Sequence, residues 1–140
     1  MGAAQRHGLP VVSVIIVNYN VRDFLHQSLV SLQKALKGIR SEIFVIDNAS
    51  DDGSAEMVRQ RFSRIQLIAN TANLGFAKAN NIALKKARGK FLLLINPDTI
   101  VQEDTIRVMM EFLQNHPEAG PALDRAVLRR RVTLQRHPDA

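Results

Sequence analysis

Three apolar segments of this chain each stop abruptly at a short polar cluster, and this pattern constrains the fold more than any other feature. The segments are residues 12–17, 43–46 and 91–95, and the clusters that follow them are residues 18–20, 47–50 and 96–98. Near-continuous apolar character is typical of strands that are buried on both faces of a parallel sheet. The sequence therefore predicts buried strands that carry polar side chains to one edge of a sheet.

Helical patterns alternate with these strands along the chain. The first helix has a leucine every three or four residues on one stripe, and Gly38 follows as its stop. The alternation predicts right-handed βαβ crossovers and an α/β fold of three αβα layers, with helices on both faces of a mostly parallel sheet. The predicted strands are about residues 11–18, 42–47, 66–69 and 90–95, and the predicted helices about residues 22–37, 53–62, 76–88 and 103–115.

Two of these helices carry more detailed expectations. The third should turn its alanines and Phe76 inward, and it should end at Gly89. The second should be capped by side-chain oxygens from residues 51–54, and Ser50 and Asp51 are better placed to cap it than Asp47 and Asn48 are.

Composition excludes several classes of protein. A chain of 140 residues suits one domain with a real hydrophobic core. Because there is no cysteine, a disulfide framework, a thiolate metal site and a thiol nucleophile are excluded, and a reducing cytoplasm is the expected location. No apolar run approaches the roughly 20 residues that span a bilayer, and the first residues lack the apolar core of a signal peptide.

The formal net charge of +6 is unevenly placed, since the segment from Pro121 onward holds five arginines and two aspartates. This basic tail either attracts phosphate or anionic lipid, or is a solvated extension. Because a nucleic-acid footprint would spread basic residues over a whole face, nucleic acid is not the expected partner. The pattern divides the chain into an extension over 1–10, a domain over 11–117 and an atypical tail over 118–140, where no regular unit is evident.

Candidate ligand-binding residues follow from the strand ends. In an open parallel sheet, ligands bind beyond the carboxyl ends of the strands, near the point where the strand order reverses. The polar clusters would converge there if the first and fourth strands were neighbours. The candidates are Asn18, Tyr19, Asn20, Asp47, Asn48, Asn73, Gly75, Asn80 and Asn96 for a nucleotide, and Asp98 for a metal ion.

Each candidate has a structural alternative. Asp98 could hold Mg²⁺ or Mn²⁺ together with diphosphate oxygens and water, or it could cap a turn before the fourth helix. Asp47 and Asn48 could bind a base or ribose, or cap the second helix. Tyr19 could stack on a base, or simply pack against the protein.

Residues 73–81 open the third helix with an Asn-Leu-Gly sequence. Gly75 permits close approach of a backbone, and a helix N-terminus favours an anion. Asn80 is a poor helix-interior residue, which suggests that its side chain is needed for a contact. The chain has no G-x-G-x-x-G after the first strand and no P-loop motif, and its histidines have no metal-ligand spacing.

Taken together, these motifs resemble the family 2 glycosyltransferases, in particular the rhamnosyltransferase-like branch. The resemblance covers about residues 11–117 in the right order and spacing, and it rests on residues 14–20, 45–54, 73–77 and 94–98. It implies a GT-A fold with a Rossmann-like nucleotide-binding half, a nucleotide-diphosphate sugar donor and a divalent metal, Mn²⁺ or Mg²⁺.

The resemblance also implies roles for individual residues. The positions that match Tyr19, Asp47 and Asn48 lie against the nucleoside in this family, and the position that matches Asp98 ends the Asp-X-Asp motif and binds the metal. Asn96 replaces the first aspartate of that motif, so its contact with metal or with ribose stays open. Family members are longer, and no residue here matches their catalytic base. We therefore expect the base beyond the end of this chain, which resembles the donor-binding portion of an incomplete enzyme.

Three hypotheses follow. The first is a hexosyltransferase domain that transfers a sugar to an acceptor hydroxyl in cell-surface polysaccharide or glycan synthesis, in the cytoplasm or at the inner face of the membrane. The second is a truncated, non-catalytic nucleotide-binding module that is completed by another chain or by a second copy in a homodimer. The third is a nucleic-acid binder that acts through the basic tail.

Overall fold

The computed structural model describes residues 8–118, 122–124 and 132–137. The strands are β1 (Val12–Asn18), β2 (Ser41–Asp47), β3 (Gln66–Ala69), β4 (Phe91–Ile95), β5 (Ala122–Asp124) and β6 (Val132–Arg136). The helices are α1 (Arg22–Ala35), α2 (Ser54–Arg61), α3 (Phe76–Leu84) and α4 (Thr105–Asn115). Within this described part, no helix is long and apolar enough to cross a bilayer.

The strands form one sheet in the order β3-β2-β1-β4-β6-β5. β3, β2, β1 and β4 are parallel neighbours, whereas β6 runs antiparallel to β4, and β5 antiparallel to β6. The predicted α/β fold with a mostly parallel sheet is confirmed. The first and fourth strands are neighbours, as the convergence of the polar clusters required.

Helices cover both faces of the sheet because the strand side chains alternate between two apolar sets. One face packs against α1, α2 and α4, and the fully buried leucines of α1 lie at its centre. Each of these buried leucines stabilises the fold by about 1.5–3 kcal/mol relative to exposure. The other face packs against Ala79 and Ala83 of α3, and its strand residues are Ile15, Phe44, Ile46 and Leu92.

The end of α1 lies within two residues of its predicted position. Leu36 takes the C-cap position, and Gly38 follows with a φ of 81°. The N–H of Ile39 donates to the Leu36 carbonyl at 2.9 Å, which closes the turn. Since a positive φ is readily adopted only by glycine, Gly38 terminates the helix as predicted.

The prediction for the third helix is wrong in two details. α3 ends at Leu84 rather than near residue 88, because Gly89 lies directly against β1, where its N–H donates to Ser13 Oγ at 2.7 Å. A Cβ at Gly89 would lie 2.5 Å from Ser13 N, so the chain passes too close to β1 for a helix there. Phe76 is 62% exposed rather than inward. The start of α3 lies beside the end of β2, where the Gly75 carbonyl accepts from Asn48 Nδ2 at 3.3 Å.

The start of α2 agrees with the prediction in part. Its N-cap is Gly53, which has a φ of 84°, and the side-chain oxygen comes from Asp52, whose Oδ1 accepts from Ser54 N at 3.0 Å. Ser50 and Asp51 do not cap the helix. The Ser50 hydroxyl is bound instead to Asp47 and to the N–H of Asn20.

The segment after Pro117, for which no regular unit was evident, contributes β5 and β6. The N–H of His137 donates to the Lys90 carbonyl at 2.8 Å and extends the pairing of β6 with β4. The Arg136 guanidinium donates to the carbonyls of Leu113 and His116 at the end of α4. These contacts are distant in sequence, so local periodicity did not reveal them.

Candidate functional site

The carboxyl ends of the parallel strands form the edge where the candidate residues should converge. Asn18, the last residue of β1, pairs in register with Asp47, the last residue of β2, and β4 pairs with β1 on its other side. The strand order reverses between β1 and β4, which is the usual position of a ligand crevice in an open α/β sheet. The structure brings to this edge residues 18–20, 47–50 and 96–98.

Asp47 is held by hydrogen bonds on both carboxylate oxygens while only 2% exposed. Oδ1 accepts from Asn18 Nδ2 at 3.0 Å and from Ser50 Oγ at 2.7 Å. Oδ2 accepts from the Ser50 N–H at 3.0 Å. A carboxylate oxygen has about two acceptor positions. Oδ1 is therefore saturated, and Oδ2 keeps one position for a further donor.

Asn18 lies behind Asp47 and has no exposed surface. Its amide donates to Asp47 and, at 3.4 Å, to Ser50 Oγ. Its Oδ1 accepts no hydrogen bond from the part of the chain that the structure describes. This arrangement orients the carboxylate of Asp47. Asn18 therefore contributes to the site by holding Asp47 in place.

Tyr19 and Asn20 follow at the rim. Asn20 has a φ of 51°; its N–H donates to Ser50 Oγ at 2.9 Å, and its Oδ1 accepts from Asp51 N at 2.9 Å. These bonds tie the loop after β1 to the loop after β2. Tyr19, between the buried Asn18 and the tied Asn20, is 51% exposed, so its ring is not packed into the core.

Asn48 joins the end of β2 to the loop before α3. It is only 3% exposed; its Nδ2 donates to the Gly75 carbonyl at 3.3 Å, and its Oδ1 accepts from Asn70 Nδ2 at 2.9 Å. The N–H of Leu74 lies 3.5 Å from the same oxygen. The amide group of Asn48 is thus used within the protein, where it fixes the loop over residues 70–75.

The start of α3 owes its shape to Asn73 and Gly75. Asn73 Oδ1 accepts from the Gly75 N–H at 2.9 Å. Gly75 has a φ of 81°, which glycine adopts readily, and no protein atom lies within 4 Å of the position where a Cβ would be. α3 has no side-chain N-cap. Asn80 makes its contact inside the helix, because its Nδ2 donates to the Phe76 carbonyl at 3.1 Å.

Asn96 and Asp98 lie in a tight turn that follows β4. The N–H of Thr99 donates to the Asn96 carbonyl at 3.1 Å, with Pro97 and Asp98 between them, as β-turn preferences favour. Asp98 is partly buried, including its Oδ1. It does not cap α4, which begins at Thr105 with Asp104 in the N-cap position.

Asp52 connects the first turns of α1 and α2 at the same edge. Its Oδ2 accepts from the Arg22 N–H at 2.9 Å, and its Oδ1 accepts from Ser54. Partial burial acts to raise the pKa of Asp52, but the hydrogen bonds from Ser54 and Arg22 outweigh it, so the pKa lies below its usual value. Asp52 was not among the candidate residues.

Two residues that matter at this edge were missed as site residues. Ser50 contacts both Asp47 and Asn20, and Asn70 contacts Asn48. A signal for Ser50 exists in the sequence, since aspartate side chains after a strand commonly accept hydrogen bonds from backbone groups of the turn that follows. No local signal identifies Asn70, whose partner lies 22 residues away.

Comparison with known proteins decides the family. The family model described as glycosyl transferase family 2 matches residues 13–138. The chain belongs to this family. An uncharacterized glycosyltransferase of Haemophilus influenzae is 32% identical over 113 residues, which are 77% of this chain and 44% of that protein.

Solved glycosyltransferase structures share the fold. The mannosyltransferase PcManGT from Pyrobaculum calidifontis, in complex with GDP-Man and Mn²⁺, superposes with a TM-score of 0.71 at 26% identity, over 81% of this chain and 34% of that one. Staphylococcus aureus TarS 1-349 in complex with UDP-GlcNAc gives a TM-score of 0.64 at 27% identity, over 76% of this chain and 32% of that one. The expected GT-A architecture is confirmed. The chain spans less than half the length of these relatives.

The donor set of this glycosyltransferase domain fits a metal that arrives with its substrate. Within the described residues, no three His, Asp, Glu or Cys side chains lie together as a self-sufficient metal site. Mg²⁺ is usually held by one or two carboxylates together with substrate phosphates and water. A lone Asp98 at the switch point suits that kind of binding.

A second depression in the glycosyltransferase domain lies away from these residues. It is a groove of about 650 Å³ between α1 and residues 100–103, and it includes the aliphatic side chains of Val30, Ile100 and Val101. None of the candidate residues lines it. The groove is also lined by polar and charged side chains, namely His26, Gln27, Ser31, Lys34, Gln102 and Glu103, but it includes none of the converging strand-end residues, so the strand edge remains the candidate site.

Proposed function

We propose that this domain binds a nucleotide-diphosphate sugar at the carboxyl edge of β1, β2 and β4, for transfer of the sugar to an acceptor hydroxyl. The observation that carries the proposal is Asp47. Its carboxylate is fixed by Asn18 and Ser50, yet it keeps one acceptor position on Oδ2. Membership of the glycosyltransferase family and neighbours bound to GDP-Man and UDP-GlcNAc support this reading.

Each part of the donor has a proposed contact. Oδ2 of Asp47 accepts from a base N–H or a ribose hydroxyl, and the half-exposed ring of Tyr19 stacks on the base. Asn96 contacts the ribose or the metal. The N-terminus of α3 has no side-chain cap, and the hydrogen bond from the Gly75 N–H to Asn73 fixes the loop before it. This N-terminus favours the negative charge of the diphosphate.

The remaining candidate residues hold the contacting residues and their loops in position. Asn18 and Asn20 fix Asp47 and the Tyr19 loop, while Asn48 fixes the loop before α3. Asn80 reinforces the first turn of α3 through the Phe76 carbonyl. We therefore assign these four asparagines a positioning role rather than direct contact with the donor.

Asp98 is the proposed metal ligand. A bound Mn²⁺ or Mg²⁺ would neutralise charge that builds on the leaving diphosphate. Asp98 would keep this ion at the crevice, because the Asn96–Thr99 turn fixes its position at the end of β4. The acceptor hydroxyl attacks the anomeric carbon with inversion, the bond from that carbon to the nucleoside diphosphate breaks, and the hydroxyl proton goes to a carboxylate base.

The acceptor is proposed to be a cell-surface polysaccharide or glycan. TarS, a poly(ribitol-phosphate) beta-N-acetylglucosaminyltransferase, is 29% identical over 108 residues, which are 74% of this chain and 19% of that protein. Its name supports a hydroxyl-bearing polymer as acceptor class. We place the reaction in the cytoplasm, at the inner face of the membrane.

A thermal-shift panel tests the donor site. UDP, dTDP and GDP are added with and without Mn²⁺ or Mg²⁺ to the wild type and to Asp98→Asn, with Asp104→Asn as a carboxylate control six residues away. At ten times its Kd, a nucleotide stabilises the fold by about 1.4 kcal/mol, or about 4 °C in Tm. We expect Asp98→Asn alone to lose the metal-dependent part of this shift. The proposal fails if no nucleotide stabilises the protein, or if Asp98→Asn keeps the metal dependence.

A further inference from the structure

The edge opposite the donor site gathers the helix-to-strand connections of the parallel sheet. Because β1, β2, β3 and β4 are parallel, each chain segment that leaves a helix must return to the amino edge before the next strand. The connections are residues 36–40, 62–65 and 85–90. The N–H of Val11 donates to the Arg40 carbonyl at 2.8 Å, so the start of β1 joins the same edge.

These three connections carry exposed cations and no carboxylate. We call them the basic edge, whose exposed basic residues are Lys37, Arg40, Arg64, Lys85, Lys86, Arg88 and Lys90. Glu42, the nearest acidic residue along the chain, is partly buried and hydrogen-bonded within the protein. Its Oε1 accepts from Ser13 Oγ at 2.6 Å and from the Arg88 N–H at 2.7 Å, and its Oε2 faces Gln66.

Acidic residues gather at the other edge. They follow the carboxyl ends of the strands or begin the helices there: Asp47, Asp51, Asp52, Asp98, Glu103 and Asp104. The two ends of the sheet thus carry opposite charge, although the net charge of the domain is modest. An anionic surface would attract the basic edge and repel the donor edge, so binding would have one orientation.

We propose that the basic edge is a docking surface for the anionic phospholipid headgroups of a membrane. Clusters of four to eight basic residues are typical of such surfaces. Leu9, which is 46% exposed beside the start of β1, adds an apolar side chain at the same edge. The three connections expose no aromatic ring for stacking on single-stranded nucleic acid, since their one aromatic residue, Phe62, is 5% exposed.

The docked orientation has a consequence for the donor site. The carboxyl edge would face away from the membrane, toward the solution from which a water-soluble nucleotide sugar arrives. The docking itself does not depend on the proposed function, because it uses residues at the other end of the sheet. Peripheral membrane binding would then be a property of the folded domain rather than of the arginine-rich tail.

The test is sedimentation of the full chain with vesicles of 30% phosphatidylserine and 70% phosphatidylcholine, against pure phosphatidylcholine. The variant is Arg64→Glu/Lys86→Glu, which alters two of the three connections. The control is Lys78→Glu/Arg107→Glu, which makes the same charge change in the first turns of α3 and α4, at the donor edge. Melting temperatures confirm that both variants fold.

We expect binding to the phosphatidylserine vesicles only, weakened by salt. Each cation near such a surface is worth about fivefold in binding, so loss of two predicts roughly a 25-fold weakening, and charge reversal adds to it. The control variant should stay within a few-fold of wild type. Equal weakening by both variants, or unchanged binding by Arg64→Glu/Lys86→Glu, would overturn the proposal. So would tighter binding to a 20-base-pair DNA duplex than to the vesicles.

Discussion

The two edges of the parallel sheet use buried polar side chains in opposite ways. At the amino edge, Ser13 Oγ donates to Glu42 and accepts from the Gly89 N–H, and Glu42 also binds the Arg88 N–H. This network closes on itself, and a Cβ on Gly89 would have no room. Its polar groups stabilise the connection between α3 and β4.

At the carboxyl edge the polar groups hold one another but do not close the network. Asp47 is 2% exposed, whereas Glu42 is only partly buried, and Asp47 Oδ2 keeps an acceptor position beside the half-exposed Tyr19. Burial of a polar side chain alone therefore does not mark a binding site. The distinguishing features of the carboxyl edge are its position where the strand order reverses and the exposed Tyr19 ring beside a fixed carboxylate.

The largest expected effect is the loss of stability when the hydrogen-bond network at the amino edge is broken. Ser13→Ala should lower the free energy of unfolding by about 2 kcal/mol or more, because a buried N–H of Gly89 and a carboxylate oxygen of Glu42 both lose a partner. Urea unfolding measures this change. Ser28 is the matched control, since it is equally buried, but its Oγ has no hydrogen-bond partner in the described part of the chain.

Ser28→Ala should therefore change stability by less than about 0.5 kcal/mol, and the better helix propensity of alanine favours a small gain. If both variants lost the same amount, volume rather than hydrogen bonding would explain the cost. The view of the amino edge as a stabilising network would then be wrong.

The fold was largely predictable because its signals are local. The leucine stripe of α1 and the stop at Gly38 depend on residues within a few turns, and the strand ends coincide with changes from apolar to polar sequence. The fold predictions were wrong where contacts between residues distant in sequence determine the structure. α3 ends early because Gly89 meets Ser13, 76 residues away, and β6 exists because it pairs with β4.

The convergence of the candidate clusters was predictable, whereas the role of each side chain was not. Asn18, Tyr19 and Asn20 are consecutive, yet one is fully buried, one is half exposed and one ties two loops together. Sequence alone does not show which side of a strand end faces a neighbouring loop. The contact between Asn48 and the loop before α3 likewise depends on how β2 and α3 meet in space.

A substitution at the carboxyl edge should have a smaller effect on stability, together with a loss of nucleotide affinity. Ser50→Ala removes a donor to Asp47 and the acceptor of the Asn20 N–H, at a cost in stability of about 1 kcal/mol, since both bonds are partly exposed. We expect the affinity for the best-stabilising nucleotide with Mn²⁺ to fall about fivefold, because the carboxylate loses its fixed orientation.

Isothermal titration calorimetry on three variants checks this expectation. Ser50→Thr keeps the hydroxyl and should restore most of the affinity. Ser13→Ala, although less stable, should bind the nucleotide as wild type does at a temperature where it is folded. A loss of affinity in Ser13→Ala as large as in Ser50→Ala would remove the distinction between the two edges.

The smallest effect concerns acid stability at the carboxyl edge. Hydrogen bonds from Ser54 and Arg22 hold the pKa of Asp52 below its usual value in spite of partial burial. Because this carboxyl group is more acidic in the folded chain, its contribution is fully present at neutral pH and is lost as the pH falls below about 4. Solvent screening limits the contribution to less than about 1 kcal/mol.

Asp52→Asn keeps an oxygen for the Ser54 N–H but no longer titrates, so its stability should fall less than that of wild type between pH 5 and pH 3. Urea midpoints at several pH values in this range measure the difference. Asp51→Asn is the control, because its backbone N–H, rather than its carboxylate, makes the contact with Asn20. Parallel loss of stability in wild type and Asp52→Asn would show that Asp52 does not link the α1 and α2 termini energetically. The carboxyl edge would then depend on Asp47 and Ser50 alone for its shape.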